Sequence, residues 1–139
     1  LEQNTGRIIN VSSGAANKNV VGWGAYCTSK AALDRFTGVL AEEVSHTEIA
    51  VTSFNPSTTD TQMQAVIRDT TVNDFPNVEH FRSLHNTGQL YAPEEPVQLI
   101  LWLASEFGRN QNGKILDYGD LNVRTQIATD LGLPLVNRQ

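Results

Sequence analysis

The feature that most limits the fold of this chain is the alternation of short apolar runs with a helical segment. The run Gly6–Ser13 (GRIINVSS) is β-branched and almost continuously apolar, which is typical of a strand covered on both faces. From Ala25 to about Ser45, apolar residues recur at steps of three and four, which predicts a helix. Its apolar positions are Leu33, Phe36, Val39, Leu40 and Val44. A second buried strand, Glu48–Pro56, follows and ends at its proline.

The second part of the chain continues this alternation. Residues 57–92 form a long polar connection, typical of a substrate loop, with short helices expected around Met63–Ile67 and over Asn77–Leu84. The segment PEEPVQLILWLAS predicts a helix that Gly108 can terminate. Gly113–Asp120 predicts a third strand, and residues 121–139 are expected to be a tail. The order predicts an α/β fold, a parallel sheet flanked by helices, in one partial domain spanning residues 1–139.

Composition and charge exclude several classes of function. With 139 residues, of which 40% are hydrophobic and 18% charged, the chain suits one globular domain. Its net charge of −5 and its lack of a basic run argue against nucleic acid or an anionic membrane surface as a partner. Cys27 is the only cysteine, so an internal disulfide and a zinc cluster are excluded. A reducing cytoplasm is the expected location, and no metal site is expected.

Polar residues follow each predicted strand at the point where it ends. Ser12 and Ser13 follow the first strand, residues 56–61 follow the second, and residues 117–120 follow the third. In parallel α/β sheets, ligands bind beyond the carboxyl ends of the strands. The sequence therefore predicts a ligand site at this edge of the sheet.

Tyr26 and Lys30 are the strongest candidates for chemistry at that edge. They are four residues apart, so their side chains share one face of the predicted helix. A phenol ordinarily keeps its proton up to pH ~10, but a cation ~4 Å away favours the phenolate by roughly 4 kcal/mol at an effective dielectric of 20. The pair suits a proton donor and its electrostatic partner. A carbonyl under reduction needs a second hydrogen-bond donor, for which Ser13 is the candidate and Ser12, on the opposite face by strand alternation, the rival.

Together these residues resemble the short-chain dehydrogenase/reductase family. Its signature is a strand-end Ser, then Tyr-x-x-x-Lys, then Pro-Gly and a Thr. The matching segments are INVSS, GWGAYCTSKAA, DTQMQ and GKILDYGD, in consistent order from about Gly6 to Asp120. Within the family the sequence most resembles sepiapterin reductase and the benzil-type carbonyl reductases. The resemblance implies the C-terminal, catalytic half of a Rossmann-type parallel sheet.

The resemblance also implies roles for individual residues. Tyr26 would exchange the proton, Lys30 would assist it and contact the nicotinamide ribose, and Ser13 would hold the substrate carbonyl. The coenzyme would be NADP or NAD, with NADP favoured by the subgroup. The implied cofactor-binding residues are Tyr26, Lys30, Pro56, Thr59 and Thr61. Trp23 and Asp117 are the implied substrate-binding residues, with simple packing and a strand-end turn as their respective alternatives.

Two departures from the family pattern affect these expectations. Ser57 stands where the family has glycine, although serine resists backbone geometry that glycine permits. The chain also contains no G-x-G-x-x-G turn to hold a pyrophosphate. By itself it is therefore expected to bind dinucleotide poorly and to be inactive. A half sheet would also expose the edge of its first strand and apolar helix faces.

The leading hypothesis is an NAD(P)-dependent carbonyl reductase acting on a small ketone or diketone. The alternative is a truncated, catalytically inactive family remnant that acts as an assembly module. The resemblance implies a homodimer in the complete protein. A serine hydrolase is disfavoured because no G-x-S-x-G elbow is present.

Overall fold

The computed structural model of the protein describes residues 4–135 and shows an α/β architecture. The strands are β1 (Thr5–Val11), β2 (Glu48–Asn55) and β3 (Ile115–Asp117). The helices are α1 (Gly24–Glu43), α2 (Gln62–Asp69), α3 (Val78–Asn86), α4 (Glu94–Ala104) and α5 (Leu121–Leu131), with 3₁₀ turns at Gly14–Asn17 and Glu106–Gln111. The strands form one parallel sheet in the order β1-β2-β3. The predicted fold class is confirmed.

β2 is the central strand and β1 lies at an edge. β2 pairs with both neighbours, and its residues 49–54 are all buried, as the sequence predicted. The prediction that β1 is covered on both faces is wrong, because Ile8 and Val11 remain 37% and 50% exposed. Within residues 4–135, β1 pairs only with β2, so its outer edge is open, as expected for a half sheet.

One face of the sheet carries the main hydrophobic core. It is formed by α4 and α5 packed on the sheet, and its buried members are Phe54, Leu99, Trp102, Leu103, Tyr118 and Ile127. The indole Nε1 of Trp102 donates a hydrogen bond to Asp130 Oδ2 at 2.8 Å, which joins α4 to α5.

The other face of the sheet is covered by α1, which buries a small apolar cluster and two polar side chains. Ala41, with Val44 directly after the helix, packs on Ile49 and Val51 of β2. The buried residues of α1 also include Asp34 and Thr37, which are hydrogen-bonded to side chains of the strands. Phe36 and Val39, part of the apolar pattern that predicted this helix, are 54% and 49% exposed. The helical period therefore located α1 and identified its buried face in part, since Leu40 and Val44 pack in the apolar cluster on β2.

Two expectations for the second half require correction. Helix α4 ends at Ala104, and Gly108 does not terminate it but is buried in the following turn, where a Cβ would lie 1.8 Å from the Leu103 carbonyl oxygen. Residues 121–131 are not a tail but helix α5, because Asp120 caps its start and Gly132 ends it at a φ of 64°. Residues 136–139 of the expected tail lie outside the described residues.

Between residues 4 and 135, no helix combines the length and apolar character that crossing a membrane requires.

Candidate active site

A cavity of about 450 Å³ lies where the strands end at their carboxyl termini. Residues that follow all three strands contribute to its wall, together with the start of α1 and the segment containing α2 and α3. The predicted site residues in the wall are Ser13, Trp23, Tyr26, Pro56, Thr59, Thr61 and Asp117. Lys30 is the one predicted site residue that is not among the described residues of the wall. The structure therefore assembles the predicted edge site from distant segments.

Ser13 lies at the start of the first 3₁₀ turn with its hydroxyl at the cavity. Its Oγ accepts a hydrogen bond from the backbone N–H of Ala15 at 3.2 Å, so its own proton can be donated elsewhere. Ser12 also lines the cavity but is only 3% exposed. The backbone stays extended beyond β1, since the Ser12 N–H donates to the Phe54 carbonyl oxygen at 2.8 Å and Ser13 has a φ of −159°. The expectation that alternation places the two serines on opposite faces stays a prediction.

Tyr26 and Lys30 lie in the first two turns of α1 on one face of the helix, as their spacing predicted. The Lys30 Nζ lies 5.7 Å from the centroid of the Tyr26 ring. It also donates a hydrogen bond to the carbonyl oxygen of Val11 at 2.8 Å. Lys30 thus ties the start of α1 to the end of β1 and places its positive charge beside the phenol.

The segment after β2 turns sharply at Ser57, whose φ is +63°. This left-handed geometry is the kind that glycine adopts most readily, so the expected conflict at this position is real. The Oδ1 of Asn55 accepts a hydrogen bond from the Ser57 N–H at 3.0 Å and holds the turn. Sequence reasoning missed Asn55, although an Asn directly before Pro at a strand end is a typical turn signal.

Asp117 braces the ends of two strands against each other. Its Oδ2 accepts a hydrogen bond from Asn55 Nδ2 at 2.8 Å, and its Oδ1 accepts one from the Gly119 N–H at 2.7 Å. Both carboxylate oxygens are therefore engaged within the protein. These contacts are those of a strand-end turn residue, the alternative to substrate binding at this position.

Trp23 forms an aromatic wall between α1 and the connection that carries α3. Its ring stacks on Phe75 with centroids 5.1 Å apart and an interplanar angle of 6°. It also packs edge-on against Tyr26 at 5.4 Å and lies 5.3 Å from Phe81. These contacts hold residues 57–92 against the start of α1.

Two residues of α3 were not identified as part of the site. His80, for which a surface or loop role was expected, is exposed and lines the cavity beside Phe81. The spacing of Asn77, His80 and Phe81 places all three on one helix face, which was the available signal.

Thr59 and Thr61 form the rim of the cavity between β2 and α2. The backbone around Thr59 pairs with Tyr91, whose N–H donates to the Thr58 carbonyl oxygen at 2.9 Å. The Thr59 hydroxyl donates to the Pro56 carbonyl oxygen at 3.1 Å. Thr61 precedes α2 but makes no side-chain capping hydrogen bond, so its hydroxyl is not used to cap the helix.

Comparison with known proteins agrees with this geometry. The pattern of the short chain dehydrogenase family matches residues 1–72. The benzil reductase ((S)-benzoin forming) of Bacillus subtilis is 42% identical over 112 residues, which cover 79% of this chain and 45% of that protein. Sepiapterin reductase is also among the matching relatives, as the resemblance predicted.

Solved structures show the same similarity. A short-chain dehydrogenase/reductase from Saccharomyces cerevisiae aligns with a TM-score of 0.74 and 31% identity, covering 86% of this chain and 48% of its own. The angucycline C-6 ketoreductase LanV with bound NADP aligns with a TM-score of 0.65 and 28% identity, covering 83% and 42%. The chain spans a little under half the length of these proteins. With its family pattern matched over residues 1–72, the chain belongs to the short-chain dehydrogenase family.

Proposed function

We propose that the protein is an NAD(P)-dependent carbonyl reductase that transfers hydride between nicotinamide and a small ketone or diketone. The observation that carries this proposal is the placement of Ser13 and Tyr26 on one cavity wall, with the Lys30 ammonium beside the phenol. The similarity to a benzil reductase and to a ketoreductase supports the reaction class and the substrate class.

In this proposal, Ser13, Tyr26 and Lys30 each have a separate role at the carbonyl oxygen of the substrate. Ser13 donates a hydrogen bond to that oxygen, because its Oγ already accepts one from Ala15 and its proton has no acceptor within residues 4–135. Tyr26 delivers the proton that completes the alcohol. Lys30, whose Nζ lies 5.7 Å from the centre of the Tyr26 ring, supplies a positive charge next to this proton donor.

The rim of the cavity fits the nicotinamide end of the coenzyme, which supplies the hydride when bound. Thr61 has a hydroxyl that caps no helix and could bond a carboxamide, and Thr59 and Pro56 border the same rim. Lys30 stands at the end of β1, where the ribose would be held. NADP is our proposed coenzyme, because a similar ketoreductase binds it.

Tyr26→Phe tests the proposal in the protein at its native length. Loss of the phenolic proton should lower kcat/KM for a 1,2-diketone such as benzil by ~10²–10⁴-fold. The assay follows the near-ultraviolet absorbance of NADPH, and circular dichroism confirms that the variant folds. Tyr91→Phe, whose ring packs against Tyr118 away from the cavity wall, is the matched control and should retain turnover. Undiminished turnover by Tyr26→Phe would exclude this mechanism.

The second candidate is an assembly module without catalysis, acting as a homodimer. Its supporting observation is the exposure of Phe36 and Val39 on α1. This candidate predicts a dimer in sedimentation velocity together with no coenzyme binding and no ketone turnover. For the native-length protein the reductase proposal predicts both binding and turnover, so the two measurements on that protein separate the candidates.

A further inference from the structure

The sequence contains one Asn-Gly step, which is formed by Asn112 and Gly113 in the turn before β3. Asparagine followed by glycine is prone to deamidation, because glycine has no Cβ to hinder attack by its backbone nitrogen on the asparagine side chain. Both residues are exposed, so water can reach the turn. The segment therefore has the local chemistry of a deamidation site.

Deamidation at this step proceeds without any change in oxidation state. The backbone nitrogen of Gly113 attacks Cγ of Asn112, so that an N–Cγ bond forms and the Cγ–Nδ2 bond breaks. The Nδ2 group leaves as ammonia and takes up the proton that the Gly113 nitrogen loses. Water then opens the cyclic imide at either carbonyl, which leaves aspartate or isoaspartate at position 112. The only co-reactant is water.

The fold engages both of the reacting groups in hydrogen bonds. The Gly113 N–H donates to the Val51 carbonyl oxygen at 2.8 Å. Asn112 Oδ1 accepts a hydrogen bond from the Val51 N–H at 2.8 Å, and its Nδ2 donates to the Ala41 carbonyl oxygen at 3.1 Å. The Gly113 nitrogen must lose the proton that it donates to Val51, and Nδ2 must leave Ala41. Cyclisation therefore breaks native hydrogen bonds, and the folded state opposes it.

The Asn112 amide also completes the end of α1. Ala41 lies in the last turn of this helix, where carbonyl oxygens lack partners within the helix. The end of a helix carries a partial negative charge, and Glu42 and Glu43 add two carboxylates to a turn without a basic residue. An aspartate at position 112 would replace the donor to Ala41 by a negatively charged acceptor. Deamidation would therefore remove a hydrogen bond and add repulsion at the same point.

We propose that Asn112 is a deamidation site that the native fold protects, and that its conversion to aspartate or isoaspartate irreversibly loosens the end of α1. Isoaspartate has the further effect of adding a carbon to the backbone, which displaces the Gly113 N–H from Val51. The affected helix is the one that carries Tyr26 and Lys30. The reaction thus limits the working life of the folded protein, because each opening of this turn exposes Asn112 to a change that cannot be reversed by refolding.

Ageing of the wild-type protein tests the protection. The native-length protein and a peptide of residues 109–117 are kept in the same mildly alkaline buffer, and peptide mass spectrometry measures the deamidated fraction at position 112. Asn112 should deamidate at least about tenfold more slowly in the folded protein, because a slow reaction that requires opening follows the population of the open state. Urea that unfolds the protein should abolish the difference. Equal rates in folded protein and peptide, or a peptide that does not deamidate, would overturn the inference.

Asn112→Asp tests the consequence for stability. The variant should unfold at a lower urea concentration than wild type, because the end of α1 loses a donor and gains a negative charge. Asn110→Asp is the matched control, since it adds the same charge at an exposed residue of the preceding turn, and it should keep the wild-type midpoint.

Two results of the urea titrations would contradict the proposed consequence. A wild-type midpoint for Asn112→Asp would show that the amide does not hold α1, and equal losses for both variants would assign the effect to net charge alone. Either result overturns the inference. If Asn112→Asp does not fold, deamidated protein separated by anion exchange from aged wild type gives the same comparison. Neither the ageing nor the urea experiment depends on the proposed reductase function.

Discussion

The two faces of the sheet are built in opposite ways. On the α4 and α5 face, large apolar side chains such as Leu99 and Leu103 are almost completely buried. On the α1 face, the helix buries Asp34 and Thr37 and leaves Phe36 exposed. The first face is a core of large apolar side chains, while the second combines matched polar groups with a smaller apolar cluster. The members of the smaller cluster are Ala41, Val44, Ile49 and Val51.

The face with the larger apolar core contributes most to stability, while the other face carries the residues that we propose for catalysis. Burial of apolar surface on the α4 and α5 face stabilises the fold. The α1 face instead positions Tyr26 and Lys30, and specific hydrogen bonds fix the helix that carries them. The Ser53 hydroxyl donates to Asp34 Oδ1 at 2.6 Å, and Asn10 Nδ2 donates to Thr37 Oγ1 at 2.9 Å.

The largest loss of stability should come from removing a large side chain from the hydrophobic core on the α4 and α5 face. Leu99 is completely buried in α4, so Leu99→Ala should lower the free energy of unfolding by about 2–5 kcal/mol. Phe36→Ala on the exposed side of α1 is the control and should change it by less than about 0.5 kcal/mol. Urea denaturation measures both. Similar losses for the two variants would remove the distinction between the faces.

A smaller effect should follow from breaking a polar pair on the α1 face. Asp34→Ala leaves the buried Ser53 hydroxyl without its acceptor, which should cost about 1–3 kcal/mol. Adding Ser53→Ala should restore part of the loss, since no unpaired group remains. The same urea titrations give the coupling energy. If the two substitutions are simply additive, the hydrogen bond does not hold α1 in place.

The same contrast explains how much of the fold the sequence predicted. The strands, α1 and α4 were recovered because each has a strong local period or apolar run. The buried face of α1 was recovered only at Leu40 and Val44. Its polar part was not, because Asp34 and Thr37 pair with residues that lie far away in the chain. Helix α5 was missed although Val123, Ile127 and Leu131 recur every four residues, because buried Arg124 interrupts the hydropathy pattern.

The residues of the candidate site also differ in whether the sequence alone could place them. Tyr26 and Lys30 could be paired from spacing alone, because one helical turn fixes their relation. Gln64 and His80 could not be placed, because the connection that carries them is held by tertiary contacts such as Trp23 on Phe75. The relation between two residues on one helix can be predicted from a single sequence, whereas the packing of a long connection such as residues 57–92 cannot.

The smallest effect should occur at Ser57, where the chain leaves the sheet between the two faces. Its φ of +63° strains any residue with a Cβ, so Ser57→Gly should raise the free energy of unfolding by less than about 1 kcal/mol. The gain is limited because glycine also increases the entropy of the unfolded chain. Ser57→Ala keeps the strain and should be neutral in the same urea titration. If glycine destabilises the protein instead, the entropy that glycine adds to the unfolded chain exceeds the strain at Ser57, and the positive φ stores little free energy.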